Sequence, residues 1–96
     1  MENIHFQWDN GKNFANIKKH KISFEEAKAV FFDENARLIP GPEHSTNEER
    51  FLILGVSDKL KPLVVVHTYK ANDEIIRIIS ARKATKTEIK YYNEVK

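Results

Sequence analysis

The sequence predicts an α+β fold in which two N-terminal helices and one C-terminal helix pack on an antiparallel sheet, in the order βααββββα. Three observations carry this. Ser/Thr-x-x-Glu signatures at residues 23–26 and 85–88 open stretches with helical apolar spacing. Segments 51–56, 63–66 and 74–80 are rich in β-branched and large apolar residues. Clusters of Pro, Gly, Asn and Asp separate these segments at turn-like intervals.

Residues 5–8 read as a short first strand, ended by the turn signal Asp9-Asn10-Gly11. Phe14, Ile17 and the stem of Lys18 then mark a short basic helix to about His20. At the second helix the Ser23 oxygen is expected to accept from the amide three residues on while Glu26 reaches back. Ala27, Val30 and Phe31 carry that helix to about Phe32. Residues 36–39 read as a strand stopped by Pro40-Gly41-Pro42, followed by a polar loop over 43–49. Strands 51–56 and 63–66 form a hairpin, and strand 74–80 follows the turn signal at 70–73; its near-continuous isoleucines predict a central place in a three-stranded antiparallel meander. Thr85 and Glu88 repeat the capping pattern and open a last helix through Ile89, Tyr92 and Val95.

Ninety-six residues, 41% hydrophobic and 31% charged, leave room for one hydrophobic core, so residues 1–96 are read as one domain. The absence of cysteine removes disulfide scaffolds, thiolate metal sites and cysteine nucleophiles, and suits a reducing, cytoplasmic setting. The first eight residues lack a signal-peptide pattern and no apolar run approaches a membrane span, so no membrane is expected. Net charge is only +2, yet residues 25–60 hold eight acids against four bases while residues 75–96 hold six bases against two acids. The C-terminal quarter therefore presents either a solvated charged face or a surface for a polyanion.

Within Ile75-Ile76-Arg77-Ile78-Ile79 an arginine interrupts an apolar strand. Desolvating a guanidinium costs several kcal/mol unless it is paired. Arg77 is thus expected either to pair with an acid such as Glu74 or Glu49 or to serve function, and in either case to face a groove or an acid rather than an apolar pocket. Arg82 and Lys83 follow at the strand end, where a phosphate can meet cations near helix amides. His67 and Tyr69 alternate onto one face, His67 being either a satisfied core histidine or a contact residue. The hairpin does not fix its register, and one residue of slip decides whether His67 joins Arg77 or joins Ser80 and Arg82. Lys18-Lys19-His20-Lys21 sits at a helix C-terminus, as dipole compensation or as a functional cluster. For His20, His44 and His67 no pair has the i, i+4 spacing of a helical metal site, and no strained serine elbow such as G-x-S-x-G is present; no metal or cofactor is expected.

Phe6-Gln7-Trp8-Asp9, Lys18-Lys19-His20, Ser23-Phe24-Glu25-Glu26-Ala27, Val30-Phe31-Phe32-Asp33, Glu49-Arg50-Phe51 and the run R-I-I-S-A-R-K-A-T from Arg77 to Thr85 occur in this order along nearly the whole chain. Together they resemble the BrnT family of bacterial ribonuclease toxins. The resemblance implies a RelE-like toxin fold, metal-free RNA cleavage, and inhibition by a BrnA-like antitoxin that carries the DNA-binding domain, so that DNA is met only through the antitoxin. It points to Lys19, His20, Arg50, Arg77 and Arg82 as active-site groups; Lys18, His67, Lys83 and Lys86 are expected as further RNA contacts. Lys21 departs from the family, which commonly has glycine after K-H. A residue at that position usually wants the left-handed conformation, so Lys21 is expected to distort the corner or shift it.

Metal-free cleavage uses the ribose 2′-hydroxyl as nucleophile, which needs a proton acceptor, charge neutralisation on the phosphorane and a proton donor for the leaving 5′ oxygen. Arginine forks suit the middle task, so Arg77 and Arg82 would hold the phosphate with help from Arg50. An imidazole changes charge near neutrality as a class, so His20 is preferred as acid or base; Lys19 is electrostatic. Glu26 is an alternative base that its capping role already explains. The rival reading is a non-catalytic module that binds nucleic acid or protein through the same basic face.

Overall fold

The computed structural model describes residues 4–40 and 49–95. The elements run β1 (His5–Gln7), α1 (Asn10–His20), α2 (Phe24–Ala29), a 3-10 turn (Val30–Phe32), β2 (Arg37–Ile39), β3 (Phe51–Val56), β4 (Pro62–Lys70), β5 (Ile75–Lys83) and α3 (Lys86–Val95). The loop expected at 43–49 lies, except for Glu49, outside the described residues, as does His44.

The five strands form one sheet in the order β1-β5-β4-β3-β2. Strands β2 to β5 pair antiparallel in sequence, which includes the expected meander, but β1 runs parallel to β5 through His5–Ile75, Phe6–Ile76 and Gln7–Arg77. The sheet is therefore mixed, not wholly antiparallel. A tight hairpin enforces antiparallel pairing only between strands adjacent in sequence, and β1 reaches β5 after both helices and the whole meander. β5 is interior, as its isoleucines predicted, and both edges are three-residue strands, short enough to offer little to another chain.

The sheet separates two apolar clusters. On one side α1, α2 and the 3-10 turn cover Leu63, Val65, Ile78 and Ala81 with Ile22, Phe24, Ala27 and Val30. On the other, Tyr92 covers Leu52, Leu54, Val64 and Val66. Residues of β4 thus contribute to both clusters in alternation, the signature of a strand buried on two faces. Its paired length exceeds the expected 63–66 because His67, Thr68 and Tyr69 keep pairing with β5 despite their polarity.

Local chemistry sets the helix ends. The Asp9 carboxylate accepts from the Lys12 amide at 2.9 Å, so the expected turn at residues 9–11 becomes an N-cap and the first helical turn. Ser23 caps α2 by accepting from the Glu26 amide at 3.0 Å, as expected. Glu26 does not reach back: its buried carboxylate accepts from the Ser57 hydroxyl at 2.8 Å, tying α2 to the β3–β4 turn. The second capping box is complete, with the Glu88 amide donating to Thr85 Oγ1 at 3.1 Å and the Thr85 amide to Glu88 Oε1 at 2.8 Å. Gly55 allows the closest approach in the core: a Cβ there would lie 2.9 Å from both Ala36 Cβ and Val30 Cγ1.

Candidate active site

Arg77 and Arg82 are five residues apart, an odd spacing that a regular strand would send to opposite faces. A β-bulge removes the conflict. Val66 pairs with Ser80 and His67 with Ile78, leaving Ile79 as the extra residue, while Thr68 stands opposite Arg77 and Val64 opposite Arg82. Directly paired residues share a face, so Arg77, Ser80 and Arg82 all lie on the α3 side, and His67 lies with Ile78 on the other. Neither grouping offered by the sequence holds, because neither register contained the bulge. Arg50, one position beyond the Phe51–His67 pair, continues the alternation of Leu52 and Leu54 onto the same α3 side; Thr68 Oγ1 donates to the adjoining Glu49 carbonyl at 2.9 Å. Arg50, Thr68 and Arg77 thereby form one row across the sheet.

Each arginine on β5 has its own anchor. Arg77 is half-buried and donates to Gln7 Oε1 at 2.7 Å, across the parallel β1–β5 pair; among the described residues neither Glu74 nor Glu49 is its partner. Arg82 forms a two-pronged pair with Glu88, Nη1 to Oε1 at 2.9 Å and Nη2 to Oε2 at 3.0 Å. The Arg82 hydrogen bonds, with the Thr85 amide also donating, pull the Glu88 carboxyl from 4.5 down to about 2 against the opposing effect of burial. A carboxylate depressed in the folded state adds stability that is full above its unfolded pKa and is lost as pH falls through the folded one. The stability gap between the wild type and Glu88→Gln is thus expected to be constant above about pH 5 and to close toward pH 2. Chemical denaturation at stepped pH checks this, and a gap that persists at pH 2 contradicts it.

The C-terminal end of α1 meets the outer edge of β5 beyond the short β1. There the buried Asn16 amide acts as a surrogate strand: Nδ2 donates to the carbonyls of Ala81 and Ile22, both at 2.9 Å, and Oδ1 accepts from the Ala81 amide at 3.1 Å. Beside it a groove of about 270 Å³ is lined by Lys12, Lys19 and His20 from α1 and by Ile79 and Ser80 of the bulge. The structure therefore brings Lys19 and His20 against the segment between Arg77 and Arg82. Lys18, Lys83 and Lys86 are exposed around this region.

Two expectations change. His67, expected as an RNA contact, is wholly buried; its Nδ1 donates to the Val65 carbonyl at 3.1 Å, its Nε2 meets the Tyr69 hydroxyl at 3.2 Å, and Phe31 packs edge-on at 4.8 Å. Burial lowers its pKa, outweighing the opposing backbone bond, so the neutral ring serves the core and offers RNA no atom. Lys21 neither distorts nor shifts the corner. It adopts the left-handed conformation itself, φ 63° and ψ 28°, and its amide bonds the Ile17 carbonyl at 2.8 Å. A side chain at this φ carries strain that glycine lacks, so Lys21→Gly is expected to raise stability by about 1 kcal/mol, measured by thermal or urea unfolding. A loss of stability would contradict the strain argument.

Gln7, Asn16 and Glu88 are not singled out as site residues by the sequence. Only Glu88 left a usable signal, as the capping acid six residues after Arg82. Among the described residues no three His, Asp or Glu side chains are grouped to hold a metal ion. No helix there is long and apolar enough to cross a membrane.

A small α+β domain with a mixed sheet, three helices and cations gathered beside a strand bulge is the architecture so far defined. Its family follows from comparison: residues 8–88 match the model of the BrnT ribonuclease toxins of type II toxin–antitoxin systems, and the chain belongs to that family. The 1.1 Å crystal structure of the ribonuclease toxin BrnT from Brucella abortus superposes with a TM-score of 0.65 at 22% identity, covering 86% of this chain and 99% of that one. That likeness concerns the fold. Comparison with curated protein sequences returned no match.

Proposed function

We propose that the chain is a metal-independent endoribonuclease toxin that cleaves RNA through the ribose 2′-hydroxyl. The observation that carries this reading is the bulge at Ile79, which turns Arg77 and Arg82 to one face beside the groove of Lys19 and His20, in a member of a ribonuclease toxin family. Arg77, held by Gln7, and Arg82, held by Glu88, stabilise the phosphorane, with Arg50 on the same face for the neighbouring phosphate. Arg82 also donates from Nη1 to the Lys83 carbonyl at 3.3 Å, so a phosphate held there would share or take over the fork that Glu88 engages. His20 moves the proton and Lys19 supplies charge; Lys18, Lys83 and Lys86 guide the backbone.

The same reading makes residues 1–96 one cytoplasmic, RelE-like toxin domain silenced by a BrnA-like antitoxin that carries the DNA contacts. An active site of exposed cations can be shut by a partner that covers it with carboxylates, so RNA and antitoxin binding would be mutually exclusive. The Glu88 carboxylate already sits on the Arg82 fork, which favours one rival, a binding module without catalysis. Incubating the purified protein with labelled RNA in EDTA separates the two: metal-independent cleavage is the expected result, and binding without cleavage would overturn the enzyme reading.

A further inference from the structure

Beyond the Arg82–Glu88 pair, the outer flank of α3 and the end of β2 enclose an apolar slot of about 430 Å³. Its lining is Ile39 and Pro40 on one side and Thr87, Glu88 and Tyr91 on the other. Tyr91 is 43% exposed although its ring is a large apolar surface, and no other ring packs on it among the described residues. The slot belongs to the same surface as the arginines. Ile39 pairs with Leu52, Leu52 with Val66 and Val66 with Ser80, so one row of the sheet leads from the slot to the bulge between Arg77 and Arg82. Glu88 belongs to both, lining the slot while holding the Arg82 fork.

We infer that this slot is a nucleobase subsite: one base of a single-stranded RNA stacks on Tyr91 while its phosphate lies toward Arg82. The inference rests on the ribonuclease reading and adds a determinant of base preference to it. Three features select this occupant. Ile39, Pro40 and Tyr91 make most of the lining apolar, and an aromatic ring among them suits a π-face. The cations that would hold the backbone adjoin the slot, so one nucleotide spans both. The third is the hydrogen-bond inventory of Glu88, whose Oε1 accepts from Arg82 and Thr85 while Oε2 accepts from Arg82. Two lone pairs per oxygen leave Oε2 able to take one more donor from the slot. With its carboxyl held ionised, Glu88 can only accept, so where it meets position 4 of a stacked pyrimidine the amino group of cytosine is favoured over the carbonyl of uracil.

The test uses short 2′-O-methyl oligonucleotides, which cannot be cleaved, titrated against the full chain by fluorescence anisotropy. Wild type is expected to bind oligo(C) more tightly than oligo(U). Tyr91→Ala should lose about tenfold in oligo(C) affinity along with the preference, and Tyr91→Phe should keep both. Circular dichroism confirms that the exposed position leaves the fold intact. An oligo(C) with an abasic nucleotide at each position in turn should show one position whose loss matches Tyr91→Ala and does not add to it. If Tyr91→Ala binds as wild type, or if no abasic position is coupled to Tyr91, the subsite is overturned, and retained cleavage in EDTA would leave the ribonuclease reading standing. If wild type binds no oligonucleotide and cleaves no RNA, both fall.

Discussion

Arg82→Ala is expected to lower RNA cleavage by roughly 30- to 1000-fold, which corresponds to about 2–4 kcal/mol of transition-state stabilisation. Glu88 holds the fork in place on the α3 side, so on the proposed mechanism the incoming phosphate meets an oriented guanidinium and competes with that carboxylate for it. Truncation leaves the capping box of Thr85 and Glu88 in place, so α3 should still form and the variant should remain folded. Arg82→Lys should fail to restore activity, since a point charge cannot serve Glu88 and a phosphate in one plane. Arg77→Ala is expected to fall in the same range, its guanidinium being held by Gln7 on the same face. Cleavage rates in EDTA and growth on induction provide the measure, and full toxicity in both alanine variants would remove the phosphate clamp from the mechanism.

Asn16→Leu is expected to cost about 3 kcal/mol of stability or more, out of the roughly 5–15 kcal/mol typical of a folded domain. The change keeps the branched shape but leaves the Ala81 amide and the carbonyls of Ala81 and Ile22 without the amide that serves them. Each orphaned buried backbone group costs on the order of 1–3 kcal/mol. Asn16 also holds the end of α1, with Lys19 and His20, against the bulge. Activity measured well below the lowered melting temperature should therefore fall too, through His20 placement, and a variant as stable as wild type would show that the amide is dispensable.

Much of the fold was legible because it is written in local signals. The turn residues, the isoleucine-rich run of β5 and both serine and threonine caps needed only neighbours in sequence, and β3 appears over the residues expected. What the sequence hid is long-range. The parallel pairing of β1 depends on contacts some seventy residues apart, such as Arg77 to Gln7. The bulge at Ile79 has no residue signature, since an isoleucine among isoleucines looks the same whether or not it is paired; yet it alone puts Arg77 and Arg82 on one face. Glu26 kept its place in a capping pattern but found a distant serine instead, and Asn16 looked like any polar residue on a helix. The family resemblance named the cations, whereas geometry removed His67 from their number and supplied the residues that hold them.

The two faces of the sheet are unequally protected. Three helical segments close the side of Phe24 and Val30, whereas among the described residues α3 is the one helix over Leu52, Leu54, Val64 and Val66, with Tyr92 as its buried anchor. The Tyr92 hydroxyl donates to Asp33 Oδ2 at 2.6 Å, and the same carboxylate oxygen accepts from the Val56 amide at 2.8 Å. With a single helix on that face, α3 is expected to open before the strands beneath it. In deuterium exchange the amides of α3 should label well before those of β4. Because opening that helix also releases Glu88 from Arg82, the fraction of molecules with α3 detached sets both the arginine's preorganisation and the protein's exposure to cellular proteases.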